Sequence, residues 1–257
     1  MQGLHRYRAY VSYWLDAVDE HSLHSPFLFN LMTRVISAVP VYHAPLERLR
    51  QELMRDKNGI PFNDLGTGAT LLPRSRSIST IAKRSLSPAR FSCLYQRLIS
   101  YFRCTTVVEL GTSLGINTLY LAQSPGVQVY TFEGADSIAA VAQANFGRMQ
   151  MKNITLIQGD IDVTLADFVA KGLRVDFAFM DANHTLRATV KYFEYLMTVM
   201  HEESVLVVDD IHLTQEMESA WLAVQRHERV RATADLYRCG IAFFTPLLDK
   251  QHVVLKA

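Results

Sequence analysis

An α/β fold built on a mostly parallel sheet is predicted by three features of this 257-residue chain. From residue 127 onward, short apolar runs alternate with stretches of helical period, the pattern of a parallel sheet covered on both faces. The stretch 107–122, VVELGTSLGINTLYLA, reads as strand, glycine turn and helix in succession, a layout that presents backbone N–H groups to a ligand at a helix start. Acids also gather at the strand ends: Glu109, Glu133, Asp160 just past its strand, Asp181, and Asp209 with Asp210. Ligands of such sheets bind beyond the carboxyl ends of the strands.

Composition narrows the setting. The chain holds 26 basic and 25 acidic residues, a balance that gives no general argument for nucleic acid or an anionic membrane. Cys93, Cys104 and Cys239 are widely spaced and form neither a disulfide framework nor a zinc pattern, which points to a reducing cytoplasm. The opening MQGLHRYRAYVSYW lacks the apolar core of a signal peptide. No run reaches the roughly 18 apolar residues that a membrane span needs. The chain is therefore expected to be cytoplasmic, with no membrane partner.

In chain order, residues 7–19 predict a helix with Tyr7, Val11, Trp14, Leu15 and Val18 on one face, expected to pack on its own domain. Ser25-Pro26 starts a second helix that buries Leu28, Leu31, Met32, Val35 and Ile36. A third covers 45–56. Residues 1–60 thus read as a helical extension, 61–86 as a loop or lid, and 87–257 as the main domain. FNDLGTGAT at 62–70 holds a rival glycine turn, but Pro61 suits no central strand. Between Leu65 and Val108 there is no acid and there are seven basic residues: Arg74, Arg76, Lys83, Arg84, Arg90, Arg97 and Arg103. Such a span suits either a solvated basic face or a surface for an anion or RNA. Ser87-Pro88 starts the helix that leads into the strand at 107.

Strands are predicted at Val107-Val108, which end a buried strand, and at 127–133, 153–159, 175–181, 204–210, 230–237 and 240–246, with helices at 135–149, 163–172, 186–200 and 214–227. The last two strands are separated only by Arg238-Cys239, which is hairpin spacing, so one of them runs antiparallel.

The turn at 109–115 has the form E-x-G-x-x-x-G. It lacks the close glycine pair of dinucleotide binders, which disfavours a nicotinamide oxidoreductase. Here the sequence resembles the class I S-adenosylmethionine (SAM)-dependent methyltransferases, and among them the small-molecule O-methyltransferases of the catechol and caffeoyl-CoA type. The resemblance covers about 87–246. It implies a Rossmann-like fold with a seven-stranded, mostly parallel sheet and a C-terminal antiparallel hairpin. It also implies SAM as cofactor and methyl transfer to a hydroxyl of a small molecule.

In this resemblance Gly111, Thr112, Ser113, Gly115 and Asn117 line the methionine part of SAM, and Glu109 holds the turn or the amino group. Leu110 and Leu114 are packing residues. Glu133 binds the ribose, since a carboxylate just over twenty residues past Gly111 can accept from both hydroxyls. Gly159 and Asp160 of QGDI lie near the adenine. In FMDANHT at 179–185, Asp181 and His184 match an acid and a basic residue that the family uses for chemistry. With Asp209 and Asp210, Asp181 matches the family's divalent-metal ligands, implying Mg²⁺. His184 matches the group that takes the acceptor's proton. Two departures stand out: Asp210 replaces an Asn, and His184 replaces the more usual Lys. His212 is a second base candidate or a partner of the Asp pair. A small hydroxylated acceptor, no membrane, no nucleic acid and a homodimer complete the expectation. Two alternatives stay open: an RNA or protein methyltransferase guided by the basic 74–103 span, and a non-catalytic SAM-binding protein.

Overall fold

A computed structural model describes residues 2–62 and 74–256. The rival glycine turn at 66–68 lies outside the described residues. The chain forms two compact units, Pro40–Lys171 and a discontinuous one made of Met1–Val39 with Gly172–Ala257.

The discontinuous unit begins with α1 (Gln2–Asp16). Here the structure corrects the sequence reading. Leu4, Tyr7, Val11, Trp14 and Leu15 are exposed, Tyr7 by 68% and Trp14 by 65%. The helix docks by its other side. Ala9 is buried, Tyr13 Oη donates to the Leu255 carbonyl at 2.7 Å, and Tyr10 meets Tyr237 edge-on at 5.2 Å. The docking face uses rings and hydrogen bonds rather than aliphatic side chains, so hydropathy pointed to the wrong face. After it, Ser25 caps α2 (Pro26–Leu31) by accepting from the Leu28 N–H, and the helix continues as a π-helical segment, Met32–Ile36. Leu28, Leu31, Met32, Val35 and Ile36 are buried as the spacing predicts.

In the Pro40–Lys171 unit, α3 (Ala44–Arg55) is followed by an antiparallel pair, β1 (Gly59–Phe62) and β2 (Arg74–Ser77). Ser77 caps α4 (Ile78–Ser85). The segment expected as a loop is therefore partly regular: a Ser cap and the apolar positions Ile78, Ile81 and Ala82 make a short amphipathic helix there. Next come α5 (Ala89–Tyr101), β3 (Thr106–Leu110), α6 (Ile116–Leu121), β4 (Gln128–Glu133), α7 (Asp136–Arg148), β5 (Ile154–Gln158) and α8 (Ile161–Val169). β4 pairs in parallel with β3 and with β5. Leu49, Leu53, Ile81, Leu119, Tyr120 and Phe146 form part of this unit's core.

The discontinuous unit resumes with β6 (Val175–Met180), α9 (Leu186–Met197), β7 (Met200–Asp209), α10 (Gln215–Arg226), β8 (Ala232–Asp235), β9 (Cys239–Phe243) and β10 (Gln251–Val254). Its strand order is β10-β8-β9-β7-β6. β6 and β7 are parallel, while β9 runs antiparallel to β7 and β8, as the short connection requires. The α/β class, the mostly parallel strands and the C-terminal hairpin agree with expectation. β10, parallel to β8, adds a strand to the seven predicted. The hairpin places Cys239 opposite Asp209. Gly240 is required there because a Cβ would enter the Trp221 ring.

Candidate active site

The glycine turn is held by its own backbone. Gly111 and Ser113 have positive φ, 101° and 49°, and Gly115 has φ 82° as the residue before α6. The N–H groups of Gly111 and Thr112 donate to the Phe132 carbonyl, at 3.1 and 3.0 Å, and that of Gly115 donates to the Thr112 carbonyl. Those three donors are thus used inside the turn rather than offered to a ligand. At Gly115 the restriction is packing as well as φ: a Cβ would lie 2.5 Å from the Phe146 ring.

Glu109 sits beneath the turn, fully buried. Oε1 accepts from Asn117 Nδ2 at 2.9 Å. Oε2 accepts from Thr131 Oγ1 at 2.7 Å and from Thr118 Oγ1. Thr112 Oγ1 joins this cluster at 2.6 Å from Thr131 Oγ1. Burial pushes the Glu109 carboxyl up to about 7, against the pull of the three donors. Through these bonds Glu109 joins the start of α6 to β4 beneath the turn. Asn117 is buried, and its amide oxygen accepts no hydrogen bond from any described residue.

Glu133 ends β4 and faces the turn. Its Oε2 accepts from the Ser113 N–H at 2.9 Å and its Oε1 from the Ala135 N–H at 3.0 Å. Backbone N–H groups use only part of the roughly four lone-pair positions of the carboxylate, which leaves it able to accept from a hydroxyl donor. Burial raises its pKa against the N–H groups of Ala135, Ser113 and Gly134. Ser113 Oγ also lies 2.6 Å from Ser85 Oγ on α4. Gly159 has φ 126° and donates to the Glu133 carbonyl. Asp160 is exposed and caps α8, accepting from the Asp162 N–H at 2.9 Å.

The second cluster belongs to the discontinuous unit. Asp181, His184 and Asp210 bring a possible ligand atom each within 4.8 Å of one another, the only such group of three among the described residues. His184 Nε2 lies 3.4 Å from Asp181 Oδ1. Asp209 is not in that trio: it is fully buried, and its Oδ2 accepts from an Arg238 guanidinium N–H at 2.7 Å. The same guanidinium reaches within 3.8 Å of Asp210 Oδ1. The His184 pKa is lowered by burial, opposed by Asp210 and assisted by Arg238. The trio expected to hold a metal, Asp181, Asp209 and Asp210, therefore does not converge, because Asp209 is directed to an arginine.

His212 joins neither cluster. Its Nδ1 and Nε2 lie 2.9 Å from Glu218 and 2.8 Å from Asp235, and its ring stacks on Tyr237. Burial works against its charge, but Asp235 and Glu218 prevail and its pKa is raised. It ties α10 to the β8–β9 hairpin. Arg238 is the residue that sequence reasoning missed. Its signal was available: a basic residue in a tight hairpin whose second strand pairs with the strand ending in Asp209-Asp210.

Comparison with known proteins bears on the fold and on residues 108–211. The family model of a methyltransferase domain matches residues 108–211. No curated protein matches the chain. Among solved structures, an O-methyltransferase from Bacillus cereus in complex with S-adenosylhomocysteine (SAH) is 17% identical, with a TM-score of 0.60 over 82% of this chain and 95% of its own. The O-methyltransferase TomG from Streptomyces achromogenes, involved in tomaymycin synthesis and solved with SAM, is 15% identical, with a TM-score of 0.61 over 81% of this chain and 93% of its own. The SAH-bound methyltransferase PaMTH1 from Podospora anserina is 13% identical, with a TM-score of 0.56 over 81% and 99%. These three carry the fold.

Proposed function

We propose that the protein, whose residues 108–211 match the family model of a methyltransferase domain, transfers a methyl group from SAM to a hydroxyl of a small molecule. The observation that carries this reading is the Glu133 carboxylate. Two backbone N–H groups hold it at the end of β4, and lone pairs remain for a ribose. The buried amide oxygen of Asn117 offers an acceptor for the ammonium of SAM. Bound SAM supplies an electrophilic methyl carbon on a sulfonium.

Gly111, Thr112, Ser113 and Gly115 fix the turn beneath the cofactor, and Glu109 locks that turn from below. Gly159 and Asp160 shape the loop after β5. His184 takes the proton of the acceptor hydroxyl. SAM held by Glu133 and Asn117 would supply the methyl group to that oxygen, its sulfur keeping the electron pair of the broken carbon–sulfur bond as SAH. Asp181 faces His184 and stabilises the imidazolium that forms. The burial that lowers the His184 pKa keeps the ring in its base form at neutral pH. The three-carboxylate metal set does not fit this geometry, and no step is assigned to Mg²⁺.

The test is a screen of hydroxylated small molecules with labelled SAM, using the wild type and His184→Ala. The variant should lose on the order of 10²–10⁴ in kcat with SAH affinity unchanged. In the wild type, kcat should fall at low pH as His184 protonates, with a midpoint below the ordinary histidine value. Equal rates in the two proteins would remove the base. Labelling of RNA or protein in place of small molecules would favour the basic 74–103 span as the acceptor guide.

A further inference from the structure

We infer that Arg238 stands where the resemblance puts a divalent cation, acting as the fixed positive charge that organises Asp209 and Asp210. This rests on the methyltransferase reading of the same site. The placement follows from the hairpin. Cys239 is in register with Asp209 on the antiparallel neighbour strand, so the residue before it lies beside the end of β7. The tip is fixed by backbone bonds: the Leu236 N–H donates to the Cys239 carbonyl, the Arg238 N–H to the Leu236 carbonyl, and the Tyr237 N–H to Asp235 Oδ1 at 2.7 Å. Tyr237 takes φ 64° to allow the turn.

The guanidinium then spans both acids, at 2.7 Å from Asp209 and 3.8 Å from Asp210. Asp209 is fully buried, so its charge needs a partner, and Arg238 supplies one that does not deprotonate. A divalent ion bound to Asp209 and Asp210 would have to displace the guanidinium or sit against it. Arg238 is a positioning residue: it directs the two carboxylates.

Mn²⁺ titration followed by electron paramagnetic resonance of the free ion tests this without an acceptor, on wild type, Arg238→Ala and Arg238→Lys. The wild type should bind Mn²⁺ no more tightly than about 1 mM, the weak end of protein sites for hard cations. Arg238→Ala, with Asp209 and Asp210 released, should bind at least about tenfold more tightly, and Arg238→Lys should behave as the wild type. Micromolar binding of one Mn²⁺ by the wild type overturns the proposal, and so does an Arg238→Ala protein that folds and binds no better. The wild-type titration decides alone if the alanine variant does not fold. SAH affinity measured on the same samples separates the two readings. Loss of SAH binding in the wild type refutes the methyltransferase assignment, and the Mn²⁺ result still judges Arg238.

Discussion

Glu109 is a buried acid that ties together residues distant in the sequence. Fully buried under the glycine turn, it accepts from Asn117, Thr118 and Thr131. Its carboxyl is raised to about 7, while an unfolded glutamate titrates near 4.5. The folded state therefore binds the proton more tightly. The stability that this proton supports is complete below pH 4.5 and is lost as pH rises toward 7. Glu109→Gln should abolish that slope, which amounts to at most about 1.4 kcal/mol per pH unit. Urea unfolding of both proteins at pH 5 and pH 7.5 measures the difference, and parallel pH dependence would show that Glu109 titrates normally. Residue identity was legible in the sequence here and residue role only partly. Glu109 was marked by the strand–turn pattern, but Thr131 is twenty-two positions away on the next strand, and no local pattern links the two.

The elements were legible wherever period and punctuation agreed. Ser25-Pro26, Ser77 and Thr185 begin helices because their hydroxyls accept from backbone N–H groups in the first turn. The alternation from β4 to β7 fell where apolar runs and glycines placed it. The side on which α1 docks was not legible. Its stripe of Leu4, Tyr7, Val11, Trp14 and Leu15 is exposed, while Tyr10 and Tyr13 make the contacts. The hairpin tip was misread by one residue, since three residues separate β8 from β9. Arg238 lies in that tip, and its pairing with Asp209 depends on the register of β9 against β7, which no local pattern displays. His212 ties the same hairpin to α10 through Asp235 and Glu218. With its pKa raised by these carboxylates, its contribution is present at low pH and fades as pH rises through the folded value. His212→Gln should therefore destabilise the protein more at pH 5 than at pH 8, by on the order of 1 kcal/mol. Thermal melts at the two pH values read this out, and an equal loss at both would mean that His212 is neutral in the folded protein.

At the scale of the whole molecule, the compact units do not follow chain order. The first 39 residues join the C-terminal 172–257, and α3 joins the turn-bearing unit. No composition shift marks either boundary, because contact between distant segments leaves no local trace. The residues proposed to hold SAM, Glu109, Gly111, Gly115 and Glu133, lie in one unit, and Asp181, His184, Asp209, Asp210 and Arg238 in the other. Substitutions in the two should act on different observables: Glu133→Ala on SAH affinity, His184→Ala on kcat. No helix among the described residues is long and apolar enough to cross a membrane.

The most direct measurement is calorimetric titration of SAH into the wild type and Glu133→Ala. The wild type should bind one SAH, and the variant should lose about 1–3 kcal/mol, the cost of ribose hydroxyls left without their acceptor. Absence of SAH binding by the wild type, or unchanged affinity in Glu133→Ala, would contradict the assignment of this site.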